Sequence, residues 1–343
     1  MKHTLIYVVL GMALLIGSSL FVSSGWAAER EIISFLAKKD GNFSIHLINT
    51  RGEPLQRLMV GPGRIGTFSW SPDGRSITYN SNQDGDPDIY VADVRTNVQH
   101  QLTFHDSRDI WPAWSPNGKW IAFISERAGE MDIYRMDANG ENVMRLTNRG
   151  RCSRPAWSPD SRWIAFVSEQ QNGEGIPNSV LYVMSAEGKG VRQLADTDSN
   201  GCAWSPDGKE VAFVPRMDAV GGTALFSIDK DGKNMRQLTR LYKGLVSIFR
   251  PIWSPSGKWI VYLLVQRPEG LLDGVLIPRA EFFANSVICV VDTADVGGGE
   301  PLESTRRLVY GSGLEWVPDG FLSVSPSSEK QTTLWGRLKQ TEK

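Results

Sequence analysis

Cysteine and histidine are scarce in this chain of 343 residues, which has three of the first and four of the second. The thiols of Cys152, Cys202 and Cys289 are odd in number, so at least one is unpaired, and their spacings match no zinc site. A Cys152–Cys202 disulfide is conceivable in an oxidising compartment, but small buried hydrophobes are the expected state. An excess of one charge is missing too: 37 Lys and Arg stand against 38 Asp and Glu, a formal net charge of -1. Phosphate neutralisation needs clustered basic residues, so nucleic acid is not an expected partner. No segment is biased enough in composition to be disordered.

The exceptional apolar run is at the start. Lys2 and His3 precede 18 uncharged residues from Leu5 to Val22, and Ser23-Ser-Gly-Trp-Ala-Ala28 follows with small residues suited to cleavage after Ala27. Residues 1–27 are expected to be a signal peptide, leaving a periplasmic or secreted protein with no stable membrane span. The alternative is an uncleaved N-terminal anchor, because 18 residues sit at the short edge of what crosses a bilayer. No Cys follows the run, so a lipoprotein anchor is not supported.

What the chain has in abundance is one repeated phrase. Trp70-Ser-Pro-Asp-Gly74, Trp114-Ser-Pro-Asn-Gly118, Trp157-Ser-Pro-Asp-Ser161, Trp204-Ser-Pro-Asp-Gly208, Trp253-Ser-Pro-Ser-Gly257 and Trp316-Val-Pro-Asp-Gly320 are six copies, separated by 44, 43, 47, 49 and 63 residues. That is the period of a propeller blade. Proline pre-sets one turn position and glycine supplies a positive φ, so the phrase is a hairpin tip. The strand after it, such as Trp120-Ile-Ala-Phe123, is apolar on both faces, as expected of a sheet packed between two others. A third strand (Asp88–Ala92, Asp132–Met136), an Asn-Gly or Asp-Gly turn and a short fourth strand ending at Leu-Thr complete each unit.

Residues 31–60 read as three strands without a preceding tryptophan phrase: Ile32–Leu36, Phe43–Ile48 and Leu55–Val60. Five complete units follow, and Trp316 supplies a last inner strand to join the first three. The expected fold is therefore an all-β, six-bladed propeller of four-stranded antiparallel blades over residues 29–320, with 321–343 a C-terminal extension; seven blades is the alternative, with Phe321–Val324 and Thr333–Gly336 as further strands. An apolar excursion, Gln266–Asn285, interrupts the fifth unit and maps to a loop on one face.

The order Trp-Ser-Pro-Asp-Gly-Lys-x-Ile-Ala-Phe, Ile-Tyr-x-Met-Asp, Arg-Leu-Thr resembles the repeat of TolB-like propellers. The resemblance covers roughly residues 31–320 and implies an exported propeller that binds a protein. It extends to the propeller domain only, since residues 29–31 leave no room for the TolB N-terminal α/β domain. The repeat also resembles the propeller of prolyl oligopeptidase-type peptidases, but the Gly-x-Ser-x-Gly elbow of their hydrolase domain is not found. Lyases on related propellers use clustered histidines with a metal, whereas His46, His100 and His105 fall on different kinds of element.

No catalytic residues, metal or cofactor are therefore expected, and a monomer that binds a protein or peptide is the reading. Loops before the inner strands converge at one mouth of a propeller channel. Arg108, Asp109, Arg154, Asp198 and Arg250 fall there; arginines near the axis can fork onto carboxylates of an inserted segment, or pair with acidic residues of neighbouring blades and staple the ring. The alternatives are an enzyme acting on a saccharide or peptide in the channel and a structural envelope spacer.

Overall fold

Each unit is built outward from its turn. Ser71 Oγ donates to Asp73 Oδ1 at 2.6 Å and accepts the backbone N–H of Ser76 at 2.9 Å, while Gly74 N–H donates to the Ser71 carbonyl. The same serine-to-aspartate bond recurs at Ser158 and Asp160 (2.6 Å) and at Ser205 and Asp207 (2.7 Å). Gly74, Gly118, Gly208 and Gly257 close these turns at φ of 67, 74, 68 and 74°, a left-handed conformation that costs glycine least. Ser161 holds that place in one unit at φ 59°, and its hydroxyl accepts the N–H of Asn117 from the unit before at 3.0 Å.

The computed structural model describes residues 31–39, 42–59, 65–171, 177–215, 223–239, 241, 246–266, 286–293, 306–310 and 312–318. Residues 1–30, most of the excursion in the fifth unit and residues 319–343 lie outside them. Strands β1 (Ile32–Lys39), β2 (Asn42–Asn49) and β3 (Pro54–Met59) come first. Blade 1 is β4 (Ile65–Trp70), β5 (Ser76–Ser81), β6 (Asp88–Asp93) and β7 (Gln99–Gln101); blade 2 is β8 (Asp109–Trp114), β9 (Trp120–Ser125), β10 (Asp132–Asp137) and β11 (Met144–Arg145). Blades 3 and 4 form one continuous sheet of β12 (Cys152–Trp157), β13 (Trp163–Gln171), β14 (Pro177–Ser185), β15 (Arg192–Trp204), β16 (Glu210–Pro215), β17 (Phe226–Asp229) and β18 (Arg236–Gln237). The long β15 causes this: its first half pairs with β14 as the outer strand of one blade, and Ser199 to Trp204 pair with β16 as the inner strand of the next. Blade 5 is β19 (Val246–Trp253), β20 (Trp259–Gln266), β21 (Ser286–Asp292) and β22 (Arg306–Tyr310).

Blade 6 mixes both ends of the chain. Strand β23 (Ser312–Trp316) pairs antiparallel with β1, Ile33 opposite Trp316 and Ser34 opposite Glu315, and β2 and β3 continue the sheet. The inner strands pack in sequence from β23 through β4, β8, β12, β15 and β19 and back to β23, so the ring closes at six blades. No helix among the described residues is long and apolar enough to cross a membrane.

The core is a set of seams between blades. In β9, Ile121 and Phe123 pack toward blade 1 with Ile89 and Leu102, while Ala122 and Ile124 pack toward blade 3 with Ile164 and Phe166. All four β9 residues are fully buried, which is why the strand reads as apolar on both faces. Three repeat tryptophans bridge the seams in one way with their indole N–H groups: Trp157 donates to the Ala113 carbonyl at 3.0 Å, Trp204 to Ala156 at 3.1 Å and Trp316 to Ile252 at 3.3 Å, each acceptor immediately preceding the tryptophan of the previous blade. Trp70 reaches across the closure to Ser34 Oγ at 2.9 Å.

Candidate functional site in the channel

The inner strands are not regular. Their pairing with the second strand slips between Ile65 and Phe68, Ile110 and Ala113, Ser153 and Ala156, Ser199 and Cys202, and Phe249 and Ile252. These are β-bulges at one level of the ring, and in four consecutive blades the residue three before the tryptophan is left-handed: Trp111 (φ 55°), Arg154 (52°), Gly201 (91°) and Arg250 (51°). For the bulky residues this conformation costs on the order of 1–3 kcal/mol each and is held only because the surrounding sheet over-determines it. Bulges re-aim side chains.

Here they gather a cluster inside the ring. The Arg154 guanidinium carbon lies 5.8 Å from the centroid of Trp111 on blade 2 and 5.9 Å from that of Phe249 on blade 5, so this side chain spans the channel interior between two aromatic faces. Gly201 makes room for it, since a Cβ there would come within 3.1 Å of Arg154 Nη1. Arg250 faces Glu315 from the closing strand. Burial lowers the Arg250 guanidinium from its ordinary value against the pull of Glu315, and burial pushes the Glu315 carboxyl up to about 7, with Arg250 opposing. Both side chains keep some exposure.

The other residues singled out from sequence are placed differently. Arg108, six before its tryptophan, is exposed and pairs with Glu126 at 2.9 Å; Arg151 holds the equivalent place in blade 3 and pairs with Glu169 at 3.3 Å. Asp109 is fully buried and receives Arg127 at 2.8 Å, while burial raises its carboxyl and Arg127 opposes the shift. Asp198 lies in β15 with its backbone opposite Val180; its side chain is outside the described set. Of the five, Arg154 lies in the cluster with Trp111 and Phe249, and the backbone nitrogen of Arg250 borders the cleared position at Gly201.

The cysteines are free. Cys152 packs against Thr147 Oγ1 at 3.5 Å and Cys202 Sγ lies 3.9 Å from the Arg154 carbonyl, so the conceivable disulfide between them is not formed: each occupies a different blade's interior. Burial raises both thiols, Cys202 to about 12. His46 stacks on Phe35 and contacts Ser44 Oγ at 3.0 Å, whereas His100 and His105 are exposed. Among the described residues no group of three or more His, Cys, Asp or Glu is placed to hold a metal.

Sequence reasoning missed Trp111, Gly201, Phe249 and Glu315. A signal for the first two was present, because they occupy the same place as Arg154 and Arg250, three before a repeat tryptophan. Glu315 is a carboxylate where the other five units have Ser69, Ala113, Ala156, Ala203 and Ile252.

The model of the TolB beta propeller domain matches residues 12–176. That match covers just under half of the chain, and the six-bladed ring is similar to TolB in fold. The crystal structure of TolB from Acinetobacter baumannii is similar to it with a TM-score of 0.61 and 21% identity, over 84% of this chain and 67% of that one. An oligogalacturonate lyase solved with manganese is similar at TM-score 0.51 and 16% identity, over 80% and 72%. At these identities the likeness is one of fold. Dipeptidyl-peptidase 5 from Porphyromonas gingivalis is 26% identical over 180 residues, which is 44% of this chain and 25% of that protein. The TolB-like chain thus spans about a quarter of the length of this curated relative.

Proposed function

We propose that this TolB-like propeller is an exported, non-catalytic protein-binding module of the cell envelope, with residues 1–27 a cleaved leader, 29–320 the ring and 321–343 an appendage, and that it takes an acidic peptide segment into the channel. The observation that carries the reading is the axial cluster: Arg154 lies between Trp111 and Phe249 at a left-handed bulge, and Arg250, at the same place in blade 5, faces Glu315. Guanidinium groups fork onto carboxylates, and aromatic neighbours hold them in place. Fixing these side chains in advance lowers the entropy lost on binding.

The test is fluorescence anisotropy with a labelled Asp- and Glu-rich dodecapeptide and a Lys-rich control. Saturable binding of the acidic peptide, weakened about ten-fold or more by Arg154→Ala or Arg250→Ala, is expected for loss of a charge-assisted bond. Equal affinity of the wild type and both variants would overturn the reading, as would turnover of a peptide or an oligogalacturonate by the purified protein.

A further inference from the structure

A second constellation of arginines lies where the chain passes from β11 to β12 between blades 2 and 3. A cleft of about 240 Å³ opens there, lined by Glu130, Asp132, Arg145, Arg149, Gly150 and Arg151 among others. The buried Asp132 carboxylate is fully engaged from within: Arg145 Nη2 donates to it at 2.5 Å, Thr147 Oγ1 at 2.7 Å, and the N–H groups of Arg149 and Gly150 at 3.1 and 3.2 Å. Arg145 also donates from Nε to the Thr147 carbonyl at 2.7 Å, the bond that Gln101 makes to Thr103 in blade 1. In this unit the repeat's glutamine is thus an arginine that keeps the structural bond and adds a charge.

Arg149 has no such internal duty. Its guanidinium carbon lies 4.4 Å above the Tyr182 ring, and Nη2 donates to the Tyr182 hydroxyl at 3.1 Å. Among the described residues no carboxylate pairs with it. Arg151 also lines the cleft, its exposed pair with Glu169 at 3.3 Å being of the weak surface kind. Gly150 and Arg151 are both left-handed, at φ 69 and 49°, and a Cβ on Gly150 would lie 3.3 Å from Glu130 Cβ. The backbone is bent here, and the lining residue between Arg149 and Arg151 is one without a side chain.

We propose that this cleft is an anion-binding site, built from residues other than the Arg154 cluster, that takes a compact oxyanion, a carboxylate or a phosphate group, between Arg149 and Arg151. Of the three lining guanidinium groups, Arg145 is committed to the saturated Asp132 and Arg151 shares its charge with Glu169 at an exposed pair, which leaves Arg149 as the cation the described carboxylates do not engage. Arg149 is pre-oriented by its stack on Tyr182, so its planar fork is presented without the entropy cost of ordering a free side chain. The occupant is small and acidic, because the aromatic face at the site is already covered by Arg149 and offers no platform for a ring.

The full chain is titrated calorimetrically with inorganic phosphate and, separately, with succinate; the probe that binds more tightly identifies the source of the oxyanion. Saturable 1:1 binding of at least one is expected, about ten-fold weaker in Arg149→Ala and also weakened in Arg149→Lys, which keeps the charge but not the planar fork. Arg154→Ala, which alters the channel, is expected to leave this binding unchanged. The proposal is overturned if neither probe binds saturably, if Arg149→Ala binds as the wild type does, or if Arg154→Ala abolishes binding. Should Arg149→Ala fail to fold, Arg149→Lys and Arg151→Ala carry the test, and wild-type affinity in both overturns it.

Discussion

Gly188 and Gly190 sit two residues apart in the turn that follows β14, both left-handed, at φ 75 and 62°, yet they should respond very differently to the same substitution. Alanine at either position carries the left-handed penalty of about 1–2 kcal/mol. At Gly190 a Cβ would meet nothing within 4 Å, so that penalty is the whole cost. At Gly188 the Cβ would lie 2.6 Å from the Leu146 carbonyl oxygen and 3.0 Å from its Cα. These are backbone atoms of the neighbouring blade and cannot swing aside as the end of a side chain can. Displacing them is overpacking, which adds about 1–3 kcal/mol. A Cβ on Gly140 or Gly232 would likewise come within 3.0 Å of the carbonyl oxygen of Leu102 or Leu194, so the close approach recurs at other seams, where it is less tight. Urea unfolding followed by tryptophan fluorescence should place the Gly188→Ala midpoint clearly below that of Gly190→Ala, and both below the wild type. Equal midpoints for the two variants would refute the argument that turn glycines are required by blade-to-blade packing beyond their own backbone geometry.

Trp157→Phe removes the indole donor to Ala113 and should cost about 1–3 kcal/mol in the same assay, more than Trp253→Phe, whose buried indole N–H finds no partner. Truncation before Gly313 deletes most of β23 and leaves β1 without its inner neighbour, a loss comparable with the roughly 5–15 kcal/mol of a whole domain; truncation after Pro326 should cost far less, and loss of cooperative unfolding in both would refute this. With the Glu315 carboxyl raised to about 7 by burial, the channel gains positive character as pH falls from 8 to 6, so acidic-peptide binding should strengthen over that range and Glu315→Gln should flatten the profile. The same shift gives a stability contribution present below the ordinary carboxyl value and lost as pH rises through about 7, which urea midpoints at pH 5 and 8 will show as a smaller difference in Glu315→Gln.

The repeat was legible because its determinants are local. Ser, Asp and Gly of the turn satisfy one another within five residues, and the apolar strand after it advertises burial on both faces, so blade number, strand order and ring closure could be read along the chain. Which arginine reaches the axis could not. A strand alternates sides residue by residue, and one extra residue reverses every side chain beyond it. The bulges at this level of the inner strands depend on pairing with the next strand, so only the assembled ring shows that Arg154 meets Trp111 and Phe249 and Arg250 meets Glu315 while Arg108 stands with Glu126. The meeting of Arg154 with Trp111 and Phe249, and of Arg250 with Glu315, joins residues from different blades. Ring closure makes them neighbours, and tertiary structure alone decided that.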